Sequence, residues 1–256
     1  MDKTDLGTAA RQALACLDLT SLNDGDDEAA VERLCARARG RFGPVAAVCV
    51  WPRLAAFARR QLPGTVVVAA VANFPNGAVD PEQALRDIAQ IAEAGAQEVD
   101  VVLPWRALAE GDTRAPARLL AAARRASAGL RLKVILETGM LDAAQAHEAS
   151  RIALGEGADF LKTSTGKVPV GATPDAARTL LRAIAADARG GEVGFKASGG
   201  VRSVADAALY LGLVAEHLGP QALVPARFRI GASGLLDDIE AVLGGGAGAG
   251  PASGGY

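Results

Sequence analysis

The chain has little cysteine, histidine or lysine, no strong excess of charge of either sign, and no long uninterrupted apolar run. Each shortage excludes something. The three cysteines, Cys16, Cys35 and Cys49, form no CxxC pair and leave one over under any pairing, which predicts reduced thiols in a cytosolic compartment. The opening residues MDKTDLGTAARQ lack an apolar signal region, and no stretch approaches about 18 apolar residues, so neither export nor a membrane span is expected. A net charge of −2 argues against nucleic acid as the main partner, because phosphate-backbone binding needs a concentrated basic surface. Only two histidines occur, His147 and His217, each in a helical-looking segment away from carboxylate clusters, so a His-rich zinc site and metal-dependent carbonyl chemistry are not expected. The most informative shortage is lysine: Lys3, Lys133, Lys162, Lys167 and Lys196 stand against 22 arginines. Where arginine supplies nearly every cation, each remaining lysine raises the question of whether a primary amine is required.

What is present is a large core. With 256 residues, 50% hydrophobic and 22% charged, the composition is that of a globular protein. Short apolar runs alternate with Ala- and Leu-rich segments of helical period. The expected strands are Ala13–Leu17, Val45–Val50, Thr65–Asn73, Glu98–Leu103, Leu132–Glu137, Phe160–Ser164, Gly194–Ala197 and Phe228–Gly231. Eight continuously apolar strands separated by helices predict a parallel sheet buried on both faces and closed into an α/β, single-domain (β/α)8 TIM barrel. Asp80-Pro81-Glu82, Thr173-Pro174-Asp175 and the Ser203/Asp206 pair read as helix starts, and Gly95 as a stop. The barrel is expected over 1–243. Residues 244–256, GGGAGAGPASGGY, contain seven glycines and read as a flexible tail ending in Tyr256.

Barrel active sites form where strands end and βα loops begin. The polar residues there are Asp18 and Thr20, Cys49, Asn73, Asp100, Lys133 and Glu137, Lys162 through Thr165, and Lys196 with Ser198. Lysine is rarely buried, yet Lys162 follows Phe160-Leu161 and Lys196 lies between Phe195 and Ala197. Pairing with Asp100 or Glu137 is the structural explanation. The chemical one is amine nucleophilicity, which requires the neutral form and hence a pKa far below about 10.4. Burial and a second ammonium both act in that direction. On adjacent strands, the two lysines can point into one lumen.

The blocks LDLTSLND, VCVWP, VANFPNG, EVDVVLPWRAL, LKVILETG, GADFLKTSTGK, GATPDAAR, GFKASGGVR and RIGAS, in order from about Leu14 to Tyr256, together resemble the deoxyribose-phosphate aldolase family. The resemblance implies a metal-free class I aldolase with no cofactor that reversibly cleaves 2-deoxy-D-ribose 5-phosphate to acetaldehyde and D-glyceraldehyde 3-phosphate in deoxyribonucleotide catabolism. By the same resemblance, Lys162 matches the Schiff-base lysine and Lys196 the second lysine, whose charge lowers the pKa of the first. Asp100 matches a carboxylate that relays protons through water, with Lys133 in reach of it. Asp18, Thr20 and Asn23 match a segment lining the entrance, where they would bond substrate hydroxyls; capping of the loop is the competing reading for Asn23. Thr165 is expected to bind substrate as well. Asp100 on its own reads equally as a salt-bridge acid. Cys49 reads as a packed core thiol, although the resemblance places it near enough to be attacked by an aldehyde product.

Loops after the seventh and eighth strands of barrels commonly bind phosphate through backbone N–H groups and a helix N-terminus. Gly199-Gly200 and Gly231-Ala232-Ser233-Gly234 have that composition, and Gly166-Lys167 adds a cation. The family pattern has two consecutive serines where this chain has Ser233-Gly234, so one hydroxyl donor is missing. Tyr256 matches a terminal tyrosine thought to swing into the site and assist proton transfer. The resemblance also implies a homo-oligomer, dimer or tetramer, acting on a phosphorylated sugar and aldehydes. Two alternatives stay open: another Schiff-base barrel enzyme such as a transaldolase, against which GFKASGGVR argues, and a non-catalytic phosphate-binding barrel whose lysines are anion ligands.

Overall fold

Period-two alternation sorts every barrel strand in the computed structural model, which describes residues 3–62, 64–246 and 248–250. The strands are β1 (Leu17–Thr20), β2 (Ala47–Val50), β3 (Val67–Ala72), β4 (Glu98–Val102), β5 (Arg131–Ile135), β6 (Phe160–Lys162), β7 (Gly194–Ser198) and β8 (Phe228–Ala232). All pair in parallel and close in the order β1-β8-β7-β6-β5-β4-β3-β2. Outward side chains such as Leu19, Val48, Val68, Val99, Val134, Leu161, Phe195 and Ile230 join the helices in one apolar core. Inward positions are unusual. Barrel lumens are generally filled by layers of branched aliphatics, whereas this one holds Asp18, Glu98, Asp100, Lys133, Lys162, Lys196 and Arg229, all nearly or fully buried.

The helices are α1 (Lys3–Ala15), α2 (Glu28–Arg37), α3 (Pro52–Gln61), α4 (Pro81–Glu93), α5 (Trp105–Ala109), α6 (Arg114–Ala126), α7 (Ala143–Gly155), α8 (Pro174–Ala186), α9 (Val204–Leu218) and α10 (Leu235–Leu243). The expected starts are present: Asp80 accepts from Gln83 N, Thr173 from Ala176 N, and Ser203 forms a capping box with Asp206. One expectation is corrected. Ala13–Ala15 belong to α1, and the first strand begins at Leu17. Ala9, Ala10, Ala13 and Leu14 are buried at helical spacing, and α1 packs on α9 and α10; a short apolar run carries no period that separates helix from strand. The other seven strands differ from expectation at their ends only. None of the helices among the described residues is long and apolar enough to cross a membrane.

Candidate active site

Strand register brings the site together. Lys162 on β6 lies directly opposite Lys196 on β7, and Asp100 on β4 opposite Lys133 on β5. The Nζ atoms of Lys162 and Lys196 each donate to Asp100 Oδ2 at 2.8 Å, while Lys133 Nζ donates to Asp100 Oδ1 at 2.8 Å. One carboxylate thus serves three ammonium groups. Lys196 also reaches Asp18 Oδ2 at 2.5 Å, and the other Asp18 oxygen accepts from Arg229 at 2.6 Å. Gly231 permits this crowding: a Cβ there would meet Ser198 Oγ at 2.8 Å and Lys196 Cε at 3.0 Å.

Below lies a second layer. Glu98 accepts from Arg229 at 2.7 Å, Lys133 at 2.5 Å and Arg131 at 3.0 Å. Within this bonded network Asp18, Glu98 and Asp100 are matched one for one by Lys133, Lys196 and Arg229, so Lys162 is its fourth cation; Glu137, equally buried, bonds Thr165 instead.

The protonation states follow from this arrangement. Burial pushes Lys162 down, Asp100 pulls it up and Lys196 pushes it down again; the balance lies below the ordinary lysine value. Burial pushes Lys196 down as well, but Asp100 and Asp18 outweigh it and hold Lys196 above its ordinary value. Burial would raise Asp100 and Asp18. The cations around each overcome that and hold both carboxyls below the usual range. The cluster therefore pairs one amine biased toward neutrality with a firmly charged neighbour, as amine catalysis requires. Cys49 faces the same lysines but is packed with Leu22, Ala69 and Val71; burial, then the Asp100 charge, pushes its thiol up.

Above the cluster, over the ends of β1, β6, β7 and β8, opens a cavity of about 350 Å³. Thr20, Asn23, Thr165, Gly166, Lys167, Gly199, Gly200, Gly231, Ser233 and Gly234 line it. Gly199 and Gly200 have φ of 85° and 86°, a left-handed pair that side-chain-bearing residues adopt at a cost. α10 begins at the cavity rim with Gly234 as its N-cap. Arg202, also in the lining, is a second cation that reading the glycines alone overlooks. A cavity of similar size over β2 and β3 contains no cation in its lining, and its Asn73, Gln83 and Asp87 bond one another.

Several expected residues sit otherwise than expected. Asp18 is not at the entrance: it is fully buried and both its oxygens are engaged, because β1 turns it inward beside Arg229. Asn23 lines the cavity but is engaged with Asp26 in its loop, and its carbonyl accepts from Trp51. Thr165 Oγ donates to Glu137 at 2.6 Å and accepts from Lys167 N, so it fixes the loop that presents Lys167. Glu137, in the left-handed region at φ 58°, has its carboxyl pushed up by burial. Asn73 Nδ2 donates to the carbonyls of Ala78 and Val102, a scaffold role. Tyr256 lies outside the described residues. Among the described residues no group of three or more His, Cys, Asp or Glu is placed to hold a metal ion.

Comparison with known proteins agrees with this geometry. The DeoC/LacD aldolase family model matches residues 12–236. A deoxyribose-phosphate aldolase of Agrobacterium fabrum is 46% identical over 250 residues, 96% of each chain. The deoxyribose phosphate aldolase of Aeropyrum pernix, described as a unique tetramer, superposes with a TM-score of 0.72 at 26% identity, covering 94% of this chain and 100% of its own. A candidate deoxyribose-phosphate aldolase from Toxoplasma gondii superposes at 0.87 over 96% of this chain and 98% of its own; at 24% identity it speaks for the fold alone. A buried lysine pair sharing one carboxylate in a TIM barrel, a glycine-rich cationic cavity above it, and likeness along nearly the whole chain lead to one conclusion: the chain belongs to the DeoC/LacD aldolase family and, within it, to the deoxyribose-phosphate aldolases, carbon–carbon lyases.

Proposed function

We propose that the chain reversibly cleaves 2-deoxy-D-ribose 5-phosphate to acetaldehyde and D-glyceraldehyde 3-phosphate in the cytosol, with Lys162 as the Schiff-base nucleophile. The observation that carries the assignment is that Lys162 and the firmly charged Lys196 share one oxygen of Asp100, on strands whose C-terminal loops line a cavity with two cations. Neutral Lys162 attacks C1 of the open-chain sugar, and loss of water from the carbinolamine gives the iminium. Removal of the C3 hydroxyl proton then breaks C2–C3. The electron pair passes into the iminium, releases glyceraldehyde 3-phosphate and leaves an enamine. Protonation at C2 and hydrolysis free acetaldehyde and restore Lys162. Asp100 relays the C3 hydroxyl proton and the proton delivered to C2 through water, and Lys196 keeps the local charge positive.

The phosphate lies against Gly199, Gly200, Ser233, Gly234 and the start of α10, balanced by Lys167 and Arg202. Thr20 and Asn23 border the sugar, Thr165 holds Lys167 in place, and Tyr256 assists at the enamine carbon. The working form is a homo-oligomer, on the precedent of the tetrameric Aeropyrum pernix relative.

Product analysis tests this reading. Equimolar acetaldehyde and glyceraldehyde 3-phosphate are expected, and failure to form either overturns the assignment. In the same assay Gly234→Ser is expected to lower KM for the phosphorylated sugar by roughly threefold to tenfold, the worth of one added hydrogen bond. KM for unphosphorylated 2-deoxyribose should stay unchanged. The substitution fits, since a Cβ at Gly234 meets nothing within 4 Å and its φ is −99°.

A further inference from the structure

The floor of the lumen carries charges that the reaction sequence above does not use. Glu98 and Arg229 are 2% and 1% exposed, and neither lines the cavity. Each nevertheless bonds directly to a residue that touches the reacting cluster: Arg229 to Asp18, the partner of Lys196, and Glu98 to Lys133, the partner of Asp100. Burying ion pairs this deep is expensive unless every group is compensated, and well-packed aliphatics would fill the same space at no such cost. A charged floor under an amine nucleophile therefore calls for an explanation other than packing.

We propose that Glu98 and Arg229 are positioning residues that set the net charge of the lumen, and through it the fraction of Lys162 that is neutral and able to attack. The proposal rests on Lys162 being the nucleophile. The groups facing Lys162 are Asp100 from β4, Lys196 from β7, Cys49 from β2 and Glu137 from the turn after β5; Lys133 from β5 and Asp18 from β1 bond to Asp100 and Lys196 in turn. Arg229 on β8 and Glu98 on β4 stand behind this ring, and Arg131, partly exposed, touches Glu98 from the barrel's outer end. Without Lys162 the bonded network of Asp18, Glu98, Asp100, Lys133, Lys196 and Arg229 is neutral, and Glu137 beside it is engaged with Thr165. A protonated Lys162 adds a positive charge to that network, which disfavours the ammonium. Removing either floor charge alone shifts this balance by one unit, in opposite directions.

The neighbours are held so that they do not absorb the change. If Glu98 loses its charge, Lys133 still has Asp100 at 2.8 Å and stays protonated. If Arg229 loses its charge, Asp18 still has Lys196 at 2.5 Å and stays ionised. The change falls on Lys162, whose only carboxylate contact among the described residues is the Asp100 oxygen it shares with Lys196.

The test is the pH dependence of kcat/KM for cleavage in Glu98→Gln, Arg229→Gln, the double variant and Arg229→Lys. The acid limb of kcat/KM reports ionisations of the free enzyme, here the deprotonation of Lys162. Glu98→Gln is expected to move that limb to lower pH by about one unit and Arg229→Gln to higher pH by about one unit. That is the order for charges roughly 10 Å apart in a protein interior. The double variant is expected to return the limb to its wild-type position, and Arg229→Lys to leave it there. A purely structural role lowers activity or stability without moving the limb in opposite directions. Limbs that stay in place, or move together, overturn the proposal. If Arg229→Gln does not fold, Glu98→Gln and the double variant, whose charges balance, decide by themselves. Borohydride trapping of acetaldehyde on the wild-type enzyme, run in parallel, separates two failures: an adduct on another residue overturns the nucleophile assignment, whereas an adduct on Lys162 with unmoved limbs overturns only this inference.

Discussion

Lys196→Leu is expected to lower kcat/KM for cleavage at pH 7 by two to three orders of magnitude, with part of the activity returning at alkaline pH. The two lysines bond to the same oxygen of Asp100, so removing Lys196 takes a like charge away from roughly 5 Å, which at an effective dielectric of about 20 is worth two to three pKa units. The sign follows directly. The Lys196 ammonium disfavours a second ammonium at Lys162; without it Lys162 holds its proton to higher pH, and the neutral nucleophile becomes scarce at pH 7. The fold should survive, because Asp18 retains Arg229 and Asp100 retains Lys133 and Lys162. A pH–rate profile of the variant checks this, and near-normal activity at pH 7 contradicts it.

Asp100→Asn is expected to separate binding chemistry from turnover. The substitution removes the negative charge that pulls Lys162 upward, so Lys162 becomes neutral more readily and Schiff-base formation persists to lower pH. The proton relay is lost, however, and such a group generally contributes about 10²–10⁴-fold. The variant should therefore still be trapped by acetaldehyde and borohydride while kcat for cleavage falls by that factor. Stability should also fall, by roughly 3–5 kcal/mol, since three ammonium groups lose a shared buried partner. Its pH dependence has a definite sign: Asp100 is held below its ordinary value in the folded protein, so its stabilisation is complete above the unfolded-state value and is lost as pH falls through the folded-state one. Trapping, steady-state turnover and chemical denaturation of the same preparation read the three effects separately. Loss of trapping together with turnover would assign Asp100 to Schiff-base formation instead.

The lysines were legible because their residue type is improbable inside apolar strands, and an improbable residue is a strong local signal. The register that joins them follows from barrel topology and needs no side-chain detail. Glu98 and Arg229 were missed for a reason that can be named. In the sequence each sits at the edge of an apolar run, whereas Glu98 stands two residues before Asp100, and Arg229 two before Gly231, on the inward face of their strands. Period two along β4 and β8 was the available signal, and arginine abundance masked it, since one Arg among 22 draws no notice. The resemblance puts Asp18 at the entrance together with Thr20 and Asn23. Only its engagement with Lys196 and Arg229, contributed from strands far away in sequence, reveals that it faces the lumen. The first strand slipped into α1 because an alanine-rich run carries almost no polar marks to betray its period. Long-range charge pairing and weakly marked apolar runs are settled by tertiary structure; residue type, helix caps and glycine spacing are settled locally.

The central claim is that Lys162 forms the covalent intermediate. Wild-type enzyme incubated with acetaldehyde, reduced with borohydride, digested and mapped by mass spectrometry should carry a single N-ethyl group on Lys162, with Lys133, Lys167 and Lys196 unmodified and activity lost in proportion. Full inactivation with the ethyl group on Lys196 or Lys133, or retained activity with no adduct on Lys162, would contradict the account.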